Sequence, residues 1–244
     1  MPDRIFIANW KMQLSPKAAV ELAGALQRLL KNFKGKAVLC PDFLSLPLVA
    51  KKIKSGSLLL GAQDAAAYEH GAYTGEVAAV DLAALGVKYV IIGHSERRSY
   101  LQESDKLLAA KIKMVLAQKM IPVLCVGENA TERKQGKAAS VVKSQLKGAL
   151  QSLSASELRS LVIAYEPVWA IGTGLNCDME KAGRIKAVIT EWCRRAGLKR
   201  ISILYGGSVK PDNATTFLGP DGFDGFLVGG ASLDALSFSR IVKA

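Results

Sequence analysis

The stretch Leu161-Val162-Ile163-Ala164-Tyr165-Glu166-Pro167 sets five apolar residues, with no polar alternation, directly against a carboxylate and a proline. A short run of this kind reads as a strand buried on both faces, the pattern of a parallel sheet covered by helices. Runs of the same type occur at Ile5–Asn9, Ala37–Cys40, Leu58–Gly61, Tyr89–Ile92, Pro122–Val126, Ile201–Tyr205 and Gly225–Val228, which makes eight with Leu161–Tyr165. Between them helical periodicity is clearest at Pro16–Leu30, Lys106–Lys119, Lys137–Leu150 and Met179–Arg195. Ser15-Pro16 offers a capping hydroxyl before a proline at the first helical position, and Gly197 after Arg194-Arg195 supplies a left-handed stop. Spread over 244 residues, the units average about 30 residues each, the size of a strand-loop-helix repeat closing on itself. The expected architecture is α/β, a single (β/α)8 barrel spanning residues 1–244, with an open doubly wound sheet as the alternative. No linker, low-complexity tract or composition break divides the chain.

Half of the residues are apolar, enough for one substantial core, and disorder as the main state is excluded. No apolar run approaches the ~18 residues of a membrane span, and the start MPDRIFIANW lacks the charged-then-apolar plan of a secretory signal, so a soluble, cytoplasmic protein without membrane partners is expected. Cys40, Cys125, Cys177 and Cys193 show no paired short spacing, which suggests neither zinc nor a disulfide framework. Asn129 and Asn213 each open an Asn-Ala-Thr triplet, read as a chance match to a glycosylation acceptor. Lys and Arg outnumber Asp and Glu by 33 to 21, a net charge of +12 that favours anionic partners in general. The basic residues are scattered along helical segments and not interleaved with aromatics, so no nucleic-acid partner is expected.

In a parallel barrel, functional groups gather just after the strand C-termini. There the chain carries Asn9-Trp10-Lys11, Gly93-His94-Ser95-Glu96-Arg97, Glu166-Pro167, Gly206-Gly207-Ser208 and Gly229-Gly230. Taken singly, Lys11 reads as a surface lysine, His94 as a structural histidine and Glu166 as a helix-start acid. Converging on one barrel mouth, a cation, an imidazole and a carboxylate make an acid-base site able to move a proton next to a carbonyl. The two glycine pairs let backbone N–H groups approach an anion, which points to a phosphorylated substrate, although either pair alone would also serve a tight turn. Pro167, Val168, Trp169, Ala170, Ile171, Gly172, Thr173 and Gly174 place large apolar side chains in a loop, the composition of a lid that covers ligand for part of the time.

Across essentially the whole chain these residues resemble the triosephosphate isomerase family. The resemblance runs through Asn9-Trp10-Lys11, Gly71-Ala72-Tyr73-Thr74-Gly75-Glu76, Ile92-Gly93-His94-Ser95-Glu96-Arg97-Arg98, Cys125-Val126-Gly127-Glu128, Ala164 to Gly174, Tyr205-Gly206-Gly207-Ser208-Val209 and Leu227 to Leu233. It implies a TIM barrel that interconverts dihydroxyacetone phosphate and D-glyceraldehyde 3-phosphate through an enediol, in glycolysis and gluconeogenesis, with no cofactor and no metal. It further implies Glu166 as the base and neutral His94 as the electrophile, the pairing long associated with this enzyme. Lys11 and Asn9 would stabilise charge, with Glu96 anchoring Lys11 or relaying hydrogen bonds. Gly172, Ser208, Gly229 and Gly230 would hold the phosphate, Ile171 and Leu227 would clamp the glutamate, and Tyr205 with Ser208 would latch the lid.

Residues Ala65–Ala79 resemble the loop by which family members form a homodimer, with Thr74, Gly75, Glu76 and Arg97 as contacts. Two features depart from the family pattern: the hinge Leu175-Asn176-Cys177 and the strong positive charge. The competing readings are a phosphate-sugar epimerase or aldolase, and a basic barrel that binds polyanions. An epimerase wants a His and Asp metal cluster, where only His70 and His94 exist, and an aldolase wants a lysine ending strand six, where none stands.

Overall fold

In the computed structural model, residues 4–53, 56, 58–170, 177–198 and 200–244 are described. The eight apolar runs form strands β1 (Ile5–Asn9), β2 (Lys36–Cys40), β3 (Leu58–Ala62), β4 (Tyr89–Ile92), β5 (Ile121–Val126), β6 (Val162–Tyr165), β7 (Ser202–Tyr205) and β8 (Gly225–Val228). Every neighbouring pair is parallel, and β8 closes onto β1 in the register Ile5↔Gly225 to Ala8↔Val228, giving one closed (β/α)8 barrel ringed by helices. That closure excludes the open sheet. Five of the sixteen strand ends shift by a single residue from the apolar runs, and the rest coincide. Leu161, for example, falls outside β6 because its N–H closes the preceding 3-10 turn on Leu158 O.

Helix ends follow local chemistry. Ser15 Oγ accepts the Ala18 N–H at 3.3 Å to start the helix Pro16–Leu29, and Gly197, at φ +79°, ends the helix Met179–Arg195. Both Asn-Ala-Thr asparagines have structural work. Asn129 forms a reciprocal capping box with Glu132, and Asn213 Oδ1 accepts the Lys210 N–H at 2.8 Å.

Period-two alternation sorts the strand residues into two layers. Ile5, Ile7, Val38, Cys40, Tyr89, Ile91, Val123, Cys125, Val162, Ala164, Leu204 and Leu227 fill the cylinder. Phe6, Ala8, Leu39, Val90, Ile92, Leu124, Ile163, Tyr165, Tyr205, Phe226 and Val228 face outward and pack against the helices in a second, larger cluster. No helix among the described residues is long and apolar enough to cross a membrane.

The four cysteines are free and buried. Burial pushes all four thiols up, Cys177 to about 11 and Cys193 to about 12. A thiol shifted in this direction stays protonated at pH 8. We therefore expect an alkylating reagent at pH 8 to leave the native protein unmodified and to add four labels only after unfolding, read by intact mass. Fast native labelling would contradict the burial.

Candidate active site

The inward rail of each strand, extended by one period beyond its last apolar residue, reaches the barrel mouth. On β1 the series Ile5, Ile7 continues to Asn9, and on β6 the series Val162, Ala164 continues to Glu166. On β7, Leu204 leads to Gly206, and on β8, Leu227 leads to Gly229. A cavity of about 340 Å³ opens there, lined among others by Asn9, Lys11, His94, Glu166, Ser208 and Leu227. Gly206, Gly207, Gly229 and Gly230 complete its wall on the β7 and β8 side.

Glu166 is 2% exposed and His94 6%. The carboxylate accepts the Ser95 N–H at 2.9 Å through Oε2 and stands 3.1 Å from His94 Nε2 through Oε1. His94 is also the N-cap of the short helix Ser95–Tyr100, and its Nδ1 accepts the Glu96 N–H at 3.3 Å. Accepting at Nδ1 uses the lone pair there, so Nε2 is the ring nitrogen directed at Glu166 as a donor. Close packing leaves room for this carboxylate. A Cβ on Gly127 would lie 1.7 Å from the Glu166 carbonyl oxygen, and one on Gly206 would lie 3.0 Å from Glu166 Cγ.

Lys11 holds a left-handed backbone at φ +51°, a strained choice for a residue with a side chain. Its Nζ pairs with Glu96 Oε1 at 2.5 Å, and its N–H donates to Asn9 Oδ1 at 3.1 Å. Gln63 Nε2 donates both to the Lys11 carbonyl at 2.8 Å and to the Cys40 carbonyl at 3.0 Å. Sequence reasoning gave Gln63 no role. Its only sequence signal is a polar side chain directly after an apolar strand.

Glu128, with no exposed surface, is a site residue for which the sequence carries no functional signal beyond its place in Cys125-Val126-Gly127-Glu128. It accepts from Tyr165 Oη at 3.1 Å, Trp169 Nε1 at 2.9 Å and Arg133 Nη1 at 3.0 Å. Arg133 also lies over the Trp169 ring at 4.2 Å. Of the apolar lid residues Val168, Trp169 and Ile171, the first two are half-buried and held in place on the barrel side. They form a 3-10 turn with Ala170, which is buried, and the Trp169 indole is fixed by a buried carboxylate 41 positions earlier in the chain. Ile171, Gly172, Thr173 and Gly174, with the hinge residues Leu175 and Asn176, lie outside the described residues. The Tyr205 hydroxyl is buried and has no partner among the described residues.

The helix that carries Glu96 is braced from behind. Arg97 Nη2 reaches Asp64 Oδ2 at 2.7 Å and Glu103 Oε1 at 2.9 Å, and Lys111 Nζ reaches the same two oxygens at 2.6 and 2.5 Å. Burial raises the Asp64 carboxyl above its usual range despite these cations. At Glu103 burial acts the same way but is outweighed by hydrogen bonds from Lys111 and Arg97, which hold it low. Thr74, Gly75 and Glu76 lie on an exposed segment away from these contacts. Among the described residues no group of three or more His, Cys, Asp or Glu is placed to hold a metal ion.

A triosephosphate isomerase family profile matches residues 4–244. A triosephosphate isomerase of Caldanaerobacter subterraneus subsp. tengcongensis is 45% identical over 243 residues, covering 98% of both chains. One from Clostridium botulinum strain Okra is 42% identical over 247 residues and covers both chains completely. The chain belongs to the triosephosphate isomerase family. As a family isomerase it offers a direct test of Gln63. We expect Gln63→Leu, which frees the strained Lys11 backbone, to lower turnover about 10- to 100-fold while the melting temperature stays near that of the parent. Unchanged turnover would remove Gln63 from the positioning of Lys11.

Proposed function

We propose that the chain interconverts dihydroxyacetone phosphate and D-glyceraldehyde 3-phosphate by proton transfer through an enediolate. The observation that carries this reading is the 3.1 Å approach of Glu166 Oε1 to His94 Nε2 inside a cavity walled by two glycine loops. A substrate carbonyl oxygen entering between the two groups takes over the Nε2 proton as its hydrogen-bond partner. The carboxylate, freed from His94, accepts a proton from the neighbouring carbon and returns it to the adjacent one, while the hydroxyl proton passes from one substrate oxygen to the other at His94 Nε2. His94 serves as a neutral donor to the developing oxyanion, and Lys11 with Asn9 supplies fixed positive charge and a further donor beside it. Glu96 acts through Lys11 by its ion pair. Backbone N–H groups at Ser208, Gly229, Gly230 and Gly172 hold the phosphate, and Leu227 and Ile171 cover the glutamate. This substrate class fits a place in glycolysis and gluconeogenesis in the cytoplasm.

Glu166→Asp retracts the carboxylate by one methylene. Turnover should fall by about 100-fold or more, measured in a coupled assay with glyceraldehyde 3-phosphate, while the inhibition constant of inorganic phosphate changes by less than about threefold. Normal turnover in that variant would dismiss Glu166 as the base.

We also propose that the working unit is a homodimer formed through Ala65–Ala79. Supporting it, exposed apolar residues follow four consecutive strands on the same rim: Met12 after β1, Leu44 after β2, Tyr68 and Tyr73 after β3, and Tyr100 after β4. The Tyr68 and Tyr73 rings stack at 4.2 Å on the surface. Contiguous apolar surface of this kind marks an interface. Sedimentation at micromolar concentration should give a single species of twice the chain mass, and a monomer would overturn the assignment.

A further inference from the structure

At the end of the barrel opposite the mouth, the chain forms a second cavity, of about 470 Å³, that the isomerase chemistry does not use. It lies between the start of β1, the end of helix Pro16–Leu29 with the segment after it, and the end of helix Ala235–Val242. Its lining includes Arg4, Arg28, Lys31, Lys34 and Lys243, and no acidic side chain among the described residues. Arg28, Lys31, Lys34 and Lys243 are exposed, so their charged ends are open to a ligand.

Cations near helix C-termini commonly do no more than offset the helix dipoles. Here the magnitudes exceed that task. Two helices end at this cavity, and each terminus contributes roughly half a negative charge. Leaving Arg4 aside, because its Nη1 donates to the Ala244 oxygen at 2.8 Å, four cations remain against about one unit of dipole charge. The exposed face of helix Met179–Arg195 shows the usual solution. There Arg184 pairs with Glu180, and Arg194 and Arg195 pair with Glu191, at 2.5–2.8 Å.

We propose that this basic cavity binds a small anion bearing two or more linked phosphate groups. Three linked phosphates carry roughly four negative charges near neutral pH, enough to neutralise the uncompensated excess of about three, and the concavity has the volume of an ordinary small-ligand site. The sequence-level +12 then has a local destination, and it lies away from the triose phosphate site.

The test is calorimetric titration of inorganic tripolyphosphate into the full chain at low ionic strength, beside the variant Lys31→Gln/Lys34→Gln and, independently, Lys243→Gln. The expected result is one anion per chain, affinity at least about tenfold weaker in the double variant and reduced in Lys243→Gln, steep weakening with salt, and isomerase turnover unchanged in both variants. Absence of binding would overturn the proposal, as would equal affinity in parent and variants. Affinity that keeps rising with the length of a single-stranded oligonucleotide would overturn it in favour of an extended nucleic-acid surface.

Discussion

Closing eight parallel strands into a cylinder compels alternate residues of every strand to point inward, and the chemistry of this protein grows out of that constraint. The same rail that buries Ile5 and Ile7 delivers Asn9, and the rail of Val162 and Ala164 delivers Glu166. A one-residue slip of β6 would send the carboxylate into the helical shell and bring Tyr165 into the cylinder. The closed ladder, with Tyr165 in register with Tyr205 and with Val126, holds that register from both sides.

Electrostatics at the mouth are leaner than the chain's overall charge suggests. Lys11 is matched by Glu96 at 2.5 Å, and the Glu166 carboxylate stands 3.1 Å from the His94 ring. Lys210 also lines this cavity, so the side-chain charge around it is mixed and not uniformly basic. The glycine loops after β7 and β8 add backbone amides, which carry partial positive charge without a counter-ion, to the same wall. The cost of fixing Lys11 in a left-handed backbone, about 1–2 kcal/mol, is met by three hydrogen-bonded neighbours, Asn9, Gln63 and Glu96.

The barrel and the residues at its mouth were legible because burial on both faces writes strands as continuous apolar runs, and the period of two carries each run to its functional end. The supporting contacts were not legible. Gln63 serves carbonyls 52 and 23 positions away, and a backbone carbonyl leaves no mark in a sequence. Trp169 looked exposed because its partner Glu128 sits on the preceding strand-to-helix loop. The Asp64, Glu103, Arg97 and Lys111 cluster joins three segments whose charges, read singly, resemble a solvated surface.

Gly127 and Gly230 stand on the same rim and differ in one respect that bears on how such a protein can change over generations. A methyl group at Gly127 would collide with the backbone of the strand beside it, whereas one at Gly230 would meet nothing within 4 Å. Gradual drift is therefore closed beside Glu166 and sterically open at the loop after β8, so side chains can be acquired there with the setting of the carboxylate left as inherited.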